Sequence, residues 1–114
     1  MEKKVKIYTE SSFLSLLGLA ARGRNLVSGE DQVLEAIRAG TAQLVVIAGD
    51  ISEGNAKRFR DKTTYYGVPL RRMGSKESLG KAIGRDYRSC VAVTDIGLAS
   101  KLLEMSDSIE DQRT

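Results

Sequence analysis

The stretch 25–40, NLVSGEDQVLEAIRAG, puts Gly29, Glu30, Asp31 and Gln32 at the entrance of a helix, directly after a short apolar segment. The first N–H groups of a helix have no partners within it and carry a partial positive charge, so such an entrance can hydrogen-bond phosphates or base edges. The same residues also suit a plain capping role, because Ser28 and Asp31 are good N-terminal caps and acidic side chains in a first turn oppose the macrodipole. Asp50 and Asp95 each follow an apolar run, the position at which α/β enzymes place metal-binding carboxylates, and would together suggest magnesium-assisted phosphoryl transfer. The chain has no histidine, and both aspartates are equally suited to cap the helices that follow them. Cys90 has no histidine to activate it, so a small buried thiol is its expected role. In GLAARGR, residues 18–24, the glycines have the spacing of a phosphate loop but lack the lysine and hydroxyl residue, and the segment ends a helix where a phosphate loop would begin one.

The elements that must position these residues follow from the hydrophobic pattern. Phe13, Leu14, Leu16, Leu17, Leu19 and Ala20 recur at helical spacing after Ser11–Ser12, which predicts a helix over 10–22 ended by Gly23. Leu26–Val27 reads as a short strand, followed by a helix that turns Val33, Leu34 and Ile37 inward and stops at Gly40. QLVVIAG, 43–49, is a buried strand. Residues 52–66 form a basic surface helix with Lys57, Arg58, Arg60 and Lys62 outward and Ala56, Phe59 and Tyr66 toward the sheet, broken by Gly67-Val68-Pro69. A strand at 70–73 leads to a helix capped by Ser75, then to the buried strand SCVAVTD and a last helix, IGLASKLLEM. Alternating strands and helices require helices on both faces of a central sheet.

Composition sets the class. A chain of 114 residues makes one domain with a core of its own, expected over 1–105, followed by a flexible acidic tail over 106–114. The net charge of +3 rises to +5 without that tail, where Asp107, Glu110 and Asp111 face only Arg113. A basic body suits a nucleic-acid partner. One cysteine excludes an intrachain disulfide, and no run approaches the ~20 apolar residues of a membrane helix. The start, MEKKVKIYTE, lacks the apolar core of a signal peptide, so a soluble cytoplasmic protein is expected.

The succession SGEDQVLEAIRAG, LVVIAGD, a basic helix, GVPLRRM, SKESLGKAIG and SCVAVTD resembles the ribosomal protein L-seven-Ae and L-thirty-e family over nearly the whole body, and is most similar to its bacterial YlxQ-type branch. The resemblance implies a three-layer α/β/α sandwich around a mixed four-stranded sheet. It also implies a non-catalytic protein, without cofactor or metal, that binds RNA kink-turns, sharply bent duplexes containing tandem sheared G·A pairs. In the family the second helix opens with glycine, any residue, asparagine, glutamate, two further residues and lysine. Here Gly29 stands, whereas Asp31, Gln32 and Glu35 occupy the other three positions, with Glu30 between. Asp31 loses a donor, Gln32 keeps an acceptor, and Glu35 sets a carboxylate where a cation would serve phosphate.

The resemblance places the loop RDYRSC beside that helix mouth. Arg85 and Arg88 would neutralise phosphates, Tyr87 would stack on an unstacked base, and Ser89 and Cys90 complete the loop, with Lys76 a further backbone contact. The implied partners are a kink-turn in ribosomal or other noncoding RNA and the proteins of a ribonucleoprotein, with the chain a monomer and no membrane involved. The three departures at the helix mouth motivate a second reading, a protein-interaction module that keeps the fold without kink-turn recognition. The aspartate pair motivates a third, the phosphoryl-transfer enzyme.

Overall fold

In the computed structural model, which describes residues 7–113, nine elements alternate along the chain. They are α1 (Glu10–Arg22), β1 (Leu26–Ser28), α2 (Glu30–Ala39), β2 (Leu44–Ile47), α3 (Glu53–Tyr66), β3 (Leu70–Arg72), α4 (Lys76–Ala82), β4 (Cys90–Val93) and α5 (Ile96–Arg113). The sheet order is β1-β4-β2-β3. β4 is antiparallel to both neighbours, and β3 is parallel to β2, which makes the sheet mixed. α1 packs against α4 and α5 while α2 packs against α3, so the helices form two layers with the sheet between them. This is the three-layer α/β/α sandwich expected from the sequence.

Every residue of β2 and β4 is buried, as continuous apolar runs covered on both faces must be. Phe13 and Leu17 from α1 join Leu79 and Leu102 in the core on one side of the sheet. Val33 and Ile37 from α2 join Phe59 from α3 on the other. α1 runs over the 10–22 span expected from its periodicity: Thr9 is its cap, and Thr9 and Ser12 exchange backbone-to-side-chain hydrogen bonds in a capping box. Ser75 and Ser78 do the same for α4, and Gly40 closes α2 in a left-handed conformation, φ 78°.

Two expectations are corrected. Tyr66 does not face the sheet: it stays 42% exposed, and Thr63 takes the inward position, its hydroxyl donating to the Phe59 carbonyl at 2.8 Å. The segment 106–113 is no flexible tail. It continues α5, because Ser106 and Ile109 fall on the buried face and Asp107 reaches Arg71 at 3.1 Å. The acidic residues that suggested a solvated tail are the outer face of an amphipathic helix.

Ile109 is 5% exposed, so Ile109→Ala should lower stability by about 2 kcal/mol in a urea titration. A true tail at this position would show no change.

Candidate nucleic-acid interface

The sheet register brings the candidate residues to one end. Ser28 at the close of β1 pairs with Val91, and Ile47 at the close of β2 pairs with Cys90 at the start of β4 and with Arg72 at the close of β3. The mouth of α2, the turn into α3, the start of α4 and the loop 83–89 therefore meet at the same edge.

Gly29 makes the turn from strand to helix with φ 94°, a region that glycine alone enters without strain. Its N–H donates to the Cys90 carbonyl at 3.1 Å, and its own carbonyl takes the first helical bond, from Val33. No side chain caps this helix among the described residues. The side chains that might have done so are engaged elsewhere. The Ser28 hydroxyl accepts from Arg88 Nε at 3.0 Å, and Glu30 accepts from Asn55 Nδ2 at 2.7 Å with Arg58 3.9 Å away. None of these side chains hydrogen-bonds the first amides of the helix, and Asp31 and Gln32 stand exposed in its first turn.

The loop 83–89 is held against α4. Gly80 permits this: a Cβ there would lie 2.5 Å from the Asp86 carbonyl oxygen. The Arg85 N–H donates to the Gly80 carbonyl at 2.7 Å, and the Arg88 N–H to the Lys76 carbonyl at 3.0 Å. Arg88 is anchored a third time through Nη1 to the Tyr87 carbonyl. Ser28, Gln32, Arg85 and Arg88 line a shallow groove of about 300 Å³, and Tyr87 stands beside it, 64% exposed.

The structure therefore brings together Gly29, Glu30, Asp31, Gln32, Arg85, Tyr87 and Arg88. Lys76, at the start of α4, is exposed one hydrogen bond from Arg88. Glu35 lies further along α2, exposed, with Arg38 one turn on and 3.8 Å from its carboxylate. Ser89 and Cys90 support the site from behind: the Ser89 carbonyl accepts from Ala48, and the Cys90 side chain is wholly buried.

Asn55 and Arg58 were not legible as site residues, because only the packing of α3 on α2 sets them against Glu30. Ser28 was noted as a cap and not as the anchor of Arg88, for the same reason.

The aspartates separate. β2 and β4 are antiparallel, so the residues following them lie at opposite ends of the sheet. Asp95 caps α5, accepting from the Leu98 N–H at 2.8 Å, whereas Asp50 accepts from the Lys76 N–H at 2.8 Å and so caps α4, not the next helix, whose cap is Ser52. The pinch that brings Asp50 there is Gly49 against Gly74, with the Gly49 N–H 2.7 Å from the Gly74 carbonyl. Among the described residues no three His, Cys, Asp or Glu side chains gather as a metal site, and no helix is long and apolar enough to cross a membrane.

At one end of the α/β/α sandwich an open helix mouth thus lies beside a tethered arginine and an exposed ring. The chain belongs to the ribosomal protein L7Ae/L30e/S12e/Gadd45 family, whose model matches residues 11–103. It is 48% identical over 92 residues to the RNA-binding protein YlxQ of Bacillus subtilis (strain 168), covering 81% of this chain and 92% of that one. It is 31% identical over 97 residues to the large ribosomal subunit protein eL8 of Cenarchaeum symbiosum (strain A), covering 80% and 73%. Among solved structures, a protein described as of unknown function from Bacillus halodurans C superposes with a TM-score of 0.81 at 40% identity, over 83% of this chain and 96% of the other.

Burial pushes the Cys90 thiol up to about 11. At pH 8 it should therefore resist iodoacetamide in the native protein and react fully in denaturant. Prompt native labelling would mean that the mouth opens. The sign of the shift also makes a stability prediction: the contribution of the neutral thiol is complete below its ordinary value of 9.0 and is lost as pH rises toward 11.

Proposed function

We propose that the protein is a non-catalytic RNA-binding protein of ribosomal type that recognises kink-turns through the mouth of α2 and the loop 83–89, and that it works in the cytoplasm. The observation that carries this reading is the juxtaposition at one edge of the open first turn of α2 and Arg88, bridged by Ser28 at 3.0 Å around a groove that Gln32 and Arg85 also line. The names of relatives, an RNA-binding protein and a ribosomal protein, support RNA as the partner class.

The division of labour follows from chemistry. The amides of the first turn and the donors of Arg85, Arg88 and Lys76 meet phosphate, which fixes orientation on the bent duplex without reading sequence. Gln32 carries both a donor and an acceptor, and Asp31 two acceptors, so these two read base edges, with guanine amino groups at sheared G·A pairs the natural donors to Asp31. Tyr87 offers its exposed ring to the nucleotide that the bend extrudes. Glu30 is committed to Asn55 and Arg58 and shapes the mouth instead of reading it.

The decisive measurement is a titration at fixed physiological salt against a kink-turn RNA and against the same RNA with its G·A pairs replaced by Watson–Crick pairs. Strong preference for the bent RNA is expected. Equal, weak binding to both would favour the protein-interaction module. Arg88→Ala should weaken binding to every bent RNA by at least roughly tenfold, the loss of a charge-assisted contact of about 1.5–3 kcal/mol, with its fold checked by thermal melting because Ser28 loses a partner. The pair Asp31→Asn with Glu35→Lys should tighten binding to the G·A-containing RNA and steepen its salt dependence by roughly one phosphate contact. No change in affinity for that pair would remove the α2 mouth from the interface.

A further inference from the structure

The face of α3 that leaves the α2 mouth is not accounted for by the fold. Asn55, Arg58, Lys62 and Tyr65 follow one another at intervals of three and four residues, which aligns them along one side of the helix. Asn55 and Arg58 touch Glu30, so the line starts at the candidate interface and runs away from it for about 15 Å, to Tyr65, at the helical rise per residue.

At its far end Tyr65 is 82% exposed and Tyr66 42%, their rings set edge to face with centroids 4.9 Å apart. Asp61, Lys62, Tyr65 and Tyr66 line a hollow of about 430 Å³ there. Asp61, the acidic member, is bound by Lys57 at 2.7 Å, and that hydrogen bond lowers its pKa, while Lys62 forms no ion pair among the described residues. A large ring left this open contributes little to the core, and among the described residues the hollow is lined by two charged side chains and two rings, with no aliphatic side chain to make the apolar centre of a protein interface. Spaced cations leading to an aromatic platform are the means by which proteins hold single-stranded nucleic acid: the backbone follows the charges and a base stacks on the ring.

We propose that α3 is a second RNA-contacting surface, on which a single-stranded segment leaving the bent element passes Arg58 and Lys62 and stacks a base on Tyr65. This rests on the reading of the α2 mouth as an RNA site, since continuity with that edge and complementary charge argue for RNA as the occupant. It extends the interface beyond the bend itself and makes the flanking sequence part of the target.

The test uses the full chain with the kink-turn probe and its Watson–Crick-paired control, each blunt or carrying a single-stranded uridine extension of about eight nucleotides, a typical span for such binding, placed on each free end in turn. The extension should strengthen binding to the kink-turn probe. Tyr65→Ala should weaken the extended complex by about tenfold and leave the blunt complex unchanged, whereas Tyr65→Phe, which keeps the ring, should bind as the unaltered protein does. Lys62→Ala should lessen the salt dependence only with the extended probe. With 4-thiouridine in the extension, photocrosslinking should mark the tryptic peptide 63–71, which contains both tyrosines.

An extension that adds nothing, or a Tyr65→Ala variant that binds the extended RNA normally, overturns the proposal, and does so with the preference for the bent RNA intact. A Tyr65-dependent gain from the extension, with bent and straight probes otherwise bound equally, supports the α3 surface and overturns kink-turn recognition.

Discussion

Because β4 runs antiparallel to both β1 and β2, its first two residues meet the last residues of two other strands, Cys90 opposite Ile47 and Val91 opposite Ser28. The Cys90 carbonyl receives the Gly29 N–H just beyond the β1 ladder, and Ala48 reaches Ser89 just beyond the β2 ladder. Segments far apart in sequence are thereby locked to one edge by backbone hydrogen bonds in a strand buried on both faces, where leaving such groups unpaired would cost most. Parallel pairing of β2 with β3 adds α4 to that edge, and Asp50 fastens it there through the Lys76 N–H.

Charge at this edge is arranged by tethering more than by number. The net excess is small, and several ion pairs are exposed pairs of little energetic weight. Arg88 is different: one backbone and two side-chain hydrogen bonds hold it against Ser28 and α4. A cation already fixed in place loses less freedom on meeting an anion than a mobile lysine does.

The elements were legible where local chemistry decides them. The periodicity of α1, the glycine that ends α2, the serine that opens α4 and the unbroken apolar runs of β2 and β4 each carry their signal within a few residues. The layered fold followed from their alternation together with the family resemblance. Illegible were the pairings across the chain: Asn55 and Arg58 with Glu30, Arg88 with Ser28, and Asp50 with a helix two elements further on. The acidic residues after 105 misled because charge on one side of a helix and charge in a loose tail look alike until Ile109 is seen to be buried. Tyr66 misled for the opposite reason, since a ring near an apolar face was assigned inward when the smaller Thr63 fits.

Asp31, Gln32 and Glu35 all project from the outer side of a helix whose inner side, Val33, Leu34, Ala36 and Ile37, does the packing. Substitution at the three outer positions therefore leaves the core untouched and changes stability within about half a kcal/mol, as is usual for exposed sites. Folding is written in only one register of those ten residues. A lineage carrying this scaffold can exchange the outer side chains one at a time, passing through intermediates that remain folded throughout.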